Sequence, residues 1–171
     1  KGQILEYLML SSPTFGDGLE RVLNYQRLIS DALHGSLEIS PLPCLTNYFS
    51  NHQYATSHLA EAMDLGLIRL FESVTDGVFI AEKIVFNHSP NADISEYERI
   101  FNCPVEFNAR SFKLYFPKTA LEYRSLYAET QLLDLHMQAA DQHLEILKQG
   151  DLIKEVRMHM ASLLESGEIT L

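Results

Sequence analysis

The sequence predicts an α+β fold, a mostly antiparallel sheet covered by helices and followed by a C-terminal helical pair. Three observations predict it: two closely spaced strand pairs and one longer strand candidate, helical stretches placed before each of them, and a heptad-patterned segment near the end of the chain. The first helix is expected to start at Thr14. Its hydroxyl can cap the free N–H groups, and Asp17 places a carboxylate at the positive end of the helix dipole. Val22, Tyr25, Ile29, Ala32 and Leu33 then fall on one face, opposite Glu20, Asn24, Arg27 and Asp31, and Gly35 is the expected stop.

Residues 36–40 alternate with period two, and 45–49 are rich in residues that suit a pleated surface, so two strands joined through Pro41 and Pro43 are expected. Helical spacing returns over 53–72, with Ala55, Leu59, Ala62, Met63, Gly66 and Leu70 on one side, and Asp76-Gly77 reads as a turn. A strand over 81–88, a short helix over 94–101 and two strands over 104–108 and 112–116 follow. The helix expected over 128–148 carries Leu133, Met137, Ala140, Leu144 and Leu147 at spacings of 4, 3, 4 and 3, the heptad seam. Leu132, Leu135, Ala139 and Ile146 widen that stripe to about half the circumference, enough for two packing surfaces. Gly150-Asp151 is expected to end it and to cap a second helix over 152–164, with Ile153, Val156, Met160 and Leu163 inward.

At 171 residues the chain is long enough for one domain with a real core, and its 46% hydrophobic and 21% charged residues exclude disorder and a disulfide-dense mini-protein. Thirteen Lys and Arg against 23 Asp and Glu give a net charge of −10, which argues against direct gripping of nucleic acid, where basic residues must displace counterions. Cys44 and Cys103 are far apart and suit buried thiols in a reducing compartment, with a single disulfide as the alternative. The stretch 39–60 has no Asp, Glu, Lys or Arg, but two prolines and many polar groups break it, so no bilayer span is expected there. The apolar start, interrupted by Glu6, lacks a cleavage pattern, and a cytoplasmic location is expected.

No catalytic constellation is present. G-x-S-x-G, H-E-x-x-H, the P-loop and G-x-G-x-x-G do not occur, and Phe15-Gly16-Asp17-Gly18 reads as a helix entrance rather than a phosphate cradle. Asn87-His88 ends a strand, but a base also needs a nucleophile and an orienting partner. His136 and His143 stand seven residues apart, a rise of about 10.5 Å, too far to share one metal ion. No cofactor and no metal are therefore expected, and the two histidines read as packing or interface groups. With Ala139 and Ile146 they form the expected face toward a second subunit, while the Leu133 stripe packs partly on the sheet. Glu106 and Tyr115 face either a pocket or the wet side of the sheet; with Tyr48, on the uncharged stretch, they are the expected lining of a ligand pocket between helix and sheet.

Several segments together resemble the effector domain of AraC-family transcriptional regulators, of the kind with an arabinose-binding-type N-terminal domain. They are Leu8-Met9-Leu10-Ser11-Ser12-Pro13-Thr14-Phe15-Gly16-Asp17-Gly18-Leu19, Tyr97-Glu98-Arg99-Ile100-Phe101-Asn102-Cys103-Pro104-Val105-Glu106-Phe107-Asn108, and Leu114-Tyr115-Phe116-Pro117. Ile153-Lys154-Glu155-Val156-Arg157 through Leu163-Leu164, with the tail 166–171, is similar to the lead-in to the family's DNA-binding domain. The resemblance implies a sensory module that binds a small-molecule effector or pairs as a homodimer, over residues 1–149 and truncated at its N-terminus. Residues 150–171 would lead to a helix-turn-helix domain that these residues do not contain, and DNA would be reached only through it. The rival is a stand-alone small-molecule-binding or metabolic protein with the same core. The native sequence past Leu171 separates the two, since a basic segment with helix-turn-helix patterns supports the first and a stop codon the second.

Overall fold

The computed structural model describes residues 3–50 and 56–166. It opens with a helix, α1 (Gln3–Ser11), whose Leu5, Leu8 and Met9 are buried. Helix α2 (Phe15–Asn24) begins at the expected cap: the Thr14 hydroxyl accepts from Asp17 N at 3.1 Å, and the Asp17 carboxylate accepts from Thr14 N at 3.2 Å. This reciprocal capping box satisfies two of the donors that a helix start leaves open. A Cβ on Gly18 would come within 2.9 Å of Met9 Cα, so glycine is what lets α2 lie directly on α1.

The helix does not run to Gly35. It ends at Asn24, a short 3-10 turn over Gln26–Leu28 follows, and Gly35 lies inside strand β1 (Leu33–Glu38). There a Cβ would meet Asn47 Oδ1 and Leu23 Cδ2 at 2.9 Å each, so this glycine answers a close approach within a strand rather than a helix stop. Strand β2 (Cys44–Phe49) pairs antiparallel with β1. Helix α3 (Ser57–Val74) ends before the Asp76-Gly77 turn, where both residues have positive φ. Residues 53–55 of the expected helix, and 167–171 of the tail, lie outside the described residues. Strand β3 (Lys83–Val85), helix α4 (Ile94–Phe101), strands β4 (Val105–Glu106) and β5 (Phe112–Tyr115), the single turn α5 (Lys118–Leu121) and helix α6 (Thr130–Ser166) complete the order.

The five strands run β1-β2-β5-β3-β4, antiparallel except for the β3–β4 pair. Register sends Leu45, Ile84, Val105, Phe112 and Leu114 to one face, where they meet Phe15, Leu19, Ile68 and Phe71 of α2 and α3 in the main core. Phenylalanines in edge-to-face and tilted contact dominate it: Phe15, Phe71, Phe79 and Phe116 make ring pairs with centroids 5.0–6.4 Å apart. The opposite sheet face carries His34, Thr46, Tyr48, Lys83, Lys113, Tyr115 and Glu106. Cys44 and Cys103 are buried free thiols, and burial, then the charge of Glu98, pushes the Cys103 thiol up to about 11.

Two expectations about helix faces need correction. On α3 the buried residues are Asp64, Ile68, Phe71 and Val74, whereas Leu59 and Met63 of the expected stripe are exposed. An acidic residue on the core side breaks the apolar period and shifts the apparent face. The Leu133 stripe packs on helices, not on the sheet: with Ala140 and the half-buried Met137, Leu144 and Leu147 it meets Leu5 and Leu8 of α1 and Tyr25 and Leu28. Tyr25 donates to Asp141 at 2.6 Å, and burial together with that hydrogen bond pushes its phenol up to about 12.

The C-terminal pair is one helix of 37 residues, about 55 Å long, which passes through Gly150 without a break. A glycine inside a helix costs only about 1 kcal/mol, too little to stop one flanked by good helix formers. Asp151 forms an ion pair with Arg27 and holds the helix to the body of the protein at that point.

Candidate functional site

The end of α3 that Thr56 caps lies over the end of the sheet, and there its inward face changes character. Ser57, Ala60 and Asp64 occupy the positions that Ile68 and Phe71 continue into the core. With Tyr48 of β2, His88 beyond β3 and Arg110 before β5, they line a cavity of about 650 Å³.

The acidic side of this cavity is built in layers. The Glu61 carboxylate accepts from Tyr97 Oη at 2.7 Å and Asn91 Nδ2 at 3.1 Å, and Asn91 also donates to Ser57 Oγ at 2.9 Å. Burial, then the bond to Glu61, raises the Tyr97 phenol above its usual range. Asp64, one turn along, is 8% exposed and has neither a hydrogen bond nor an ion pair among the described residues. Burial above all, and then the charge of Glu61, holds its carboxyl well above the usual carboxylate range. His88 Nδ1 lies 2.8 Å from the Ser89 carbonyl oxygen, while its buried Nε2 has no hydrogen-bond partner and sits 3.7 Å from Glu61 Oε1. A native interior satisfies nearly all its buried polar groups, so the open His88 Nε2, in one cavity with the mostly buried Asp64 carboxyl, marks a place prepared for something else.

Of the three expected lining residues, Tyr48 reaches the cavity, half-exposed and stacked on His34 with centroids 5.0 Å apart. Glu106 and Tyr115 share its sheet face but lie elsewhere on it. Lys83 Nζ sits 3.3 Å from Glu106 and 5.0 Å above the Tyr115 ring, and burial, then Cys44, raises the Tyr115 phenol. Sequence reasoning missed Glu61 and Asp64, although an acid at a core-facing helical position was the available signal.

A second cavity, about 460 Å³, runs between α1 and α6 and is mainly apolar, with Ile4, Tyr7, Leu28, His136, His143 and Ile146 among its lining. Three of the four expected interface residues meet there. His136 stacks on Tyr7, centroids 5.3 Å apart, and its Nδ1 is 3.2 Å from Ser11 Oγ. That hydroxyl gives its own proton to the Tyr7 carbonyl, so His136 Nδ1 is the donor. His143 Nδ1 donates to the Ala139 carbonyl at 2.7 Å, and Ile146 is 66% exposed.

The family model described as the arabinose-binding domain of AraC transcription regulators, N-terminal, matches residues 1–125, nearly three quarters of the chain. The chain belongs to this family. In this AraC-type domain all the residues of the polar cavity lie inside the matched region, and the whole of α6 lies beyond it. The crystal structure of the transcriptional regulator CdpR from Pseudomonas aeruginosa is similar in fold, with a TM-score of 0.65 and 16% identity. The match covers 78% of this chain and 44% of that one, so the AraC-type domain spans less than half of CdpR. Among curated proteins, none matches the chain. No helix of the described residues is long and apolar enough to cross a membrane.

Proposed function

We propose that this chain is the sensory part of a cytoplasmic transcription regulator, which takes a small-molecule effector in the polar cavity and acts on DNA through a helix-turn-helix domain outside these residues. The observation that carries the effector reading is the buried, unpartnered His88 Nε2 in the lining of one cavity with the mostly buried Asp64 carboxyl. Catalysis has no comparable support, because among the described residues of the cavity no nucleophile hydrogen-bonds to an oriented base.

Thermal melting of the purified protein against a panel of small amines, sugars, amino acids and organic acids tests the cavity. At least one class is expected to raise Tm in the wild type and to lose its effect in Ala60→Phe, which fills the space. Hits that survive that substitution, or no hit at all, overturn the assignment.

The second part of the reading is a homodimer along α6. Ala139, His143, Ile146, Gly150, Ile153, Met160 and Leu164 follow one heptad phase, interrupted at Arg157, and Ile153, Met160 and Leu164 are more than half exposed. Residues 1–149 would sense and pair, and 150–171 would lead on toward the DNA-reading part as a direct continuation of the same helix. Effector binding acts on DNA only if it favours one placement of that helix. Sedimentation at micromolar concentration is expected to give a dimer, and Ile146→Glu with Ile153→Glu a folded monomer. A wild-type monomer, or a dimer indifferent to both changes, overturns this part.

A further inference from the structure

We propose that the polar cavity binds a small organic cation, a primary amine or a guanidine, whose N–H groups are received by Asp64, Glu61 and His88 Nε2. The inference rests on reading this cavity as the effector site and names the chemical class of the effector.

The tautomer of His88 is the first step. A carbonyl oxygen only accepts, so Nδ1, 2.8 Å from Ser89 O, carries a proton, and Nε2 of the neutral ring presents a lone pair to the cavity. That lone pair is 3.7 Å from Glu61 Oε1, too far for a hydrogen bond and close enough that one inserted donor group can serve both. The 3.7 Å between Nε2 and Glu61 Oε1 is ion-pair distance when His88 is protonated, but that pairing leaves Asp64 unserved.

The acceptors come from two elements: Asp64 of α3 and His88 after β3 line the cavity, and Glu61 of α3 stands beside them, 3.7 Å from His88 Nε2. Tyr97 and Asn91 both donate to Glu61, where they fix the carboxylate in place. Arg110 lines the cavity but forms no ion pair with Asp64. A carboxylate ligand would meet Arg110 but also face the Asp64 and Glu61 carboxyls, and each sugar hydroxyl brings one donor. An ammonium brings three and a guanidinium five, in charge-assisted bonds about twice as strong as neutral ones. The Tyr48 ring adds an aromatic wall of the kind that attracts cations. A bare metal ion is a poorer fit, because among the described residues no group of three His, Cys, Asp or Glu is disposed to hold one.

The test is calorimetric titration of the purified protein with 1,4-diaminobutane and agmatine, and with L-arabinose and butyrate as neutral and anionic comparisons. The amine or the guanidine is expected to bind, and Asp64→Asn and Glu61→Gln each to weaken it at least tenfold with the far-UV dichroism unchanged. The His88 Nε2 nitrogen resonance is expected to shift on binding. Arabinose or butyrate binding in a manner blocked by Ala60→Phe, with no cation binding, overturns the cation class and leaves the cavity as effector site. Cation binding indifferent to Asp64→Asn and Glu61→Gln overturns the proposal as well. Failure of every class in the wider melting panel overturns the effector reading itself.

Discussion

Phe86→Ala is expected to destabilise the protein by about 3–5 kcal/mol, because the truncation removes both the transfer free energy of a buried ring and the packing around the space it leaves. Phe86 is fully buried, with Phe101, Phe107, Phe112 and Tyr97 around it at centroid distances of 5.4–6.0 Å and the His88 ring at 5.1 Å. For a chain of this size the loss corresponds to a fall in Tm of roughly 6–20 °C. Phe86→Leu, which keeps most of the volume, should cost less than about 1.5 kcal/mol. The effect reaches the site because Phe86 backs His88, which presents Nε2, and Tyr97, which holds Glu61. Urea denaturation of the two variants checks the stabilities. A loss below about 1 kcal/mol for the alanine variant would mean that this aromatic cluster is not the keel of the fold.

What was legible in the sequence was local. The Thr14–Asp17 cap, the Asp76-Gly77 turn, the short helix at 94–101 and the first strand pair each rest on a few consecutive residues and form where the pattern points, whereas β4 and β5 do not pair because β3 lies between them. The Leu133 stripe was legible as a buried stripe but not for its partner, because a heptad seam says how much surface is covered and not by what. Gly35 was misread because a glycine needed for close approach in a strand has the same letter as one that ends a helix. Gly150 was misread because its small cost is outweighed by the residues around it and by the Arg27–Asp151 pair, which joins positions far apart in the chain.

The site was harder for the same reason. Tyr48 stood out by its uncharged surroundings, and Asn87-His88 by its place after a strand. Glu61 and Asp64 gain meaning only when α3 crosses the sheet end and brings them to His88, which the chain order alone does not tell. Asp64 was also concealed by a sound rule, that acids belong on the wet face of a helix. The structure overrides that rule at one position, and departures of this kind are expected at functional sites.

Asp64→Leu should therefore make the protein more stable at neutral pH, by about 1–3 kcal/mol, the usual cost of a buried polar group without a partner. The sign with pH follows from the direction of the shift. The Asp64 carboxyl is held well above its unfolded value of 3.8, so in the range between the two values the folded state keeps a proton that the unfolded chain has lost. Below about pH 4 both states are protonated and the carboxyl carries no ionisation penalty. As pH rises through the folded value, wild-type stability falls by the cost of ionising a buried carboxyl, and Asp64→Leu escapes that fall. Guanidinium denaturation at pH 4 and at pH 7 should show the advantage of the variant growing with pH. A variant less stable than wild type at pH 7, or an advantage that shrinks as pH rises, would show that Asp64 has a stabilising partner in the folded protein. A gain in stability coupled to the loss of amine binding is what a residue held for its ligand predicts, since natural sites commonly give up stability for function.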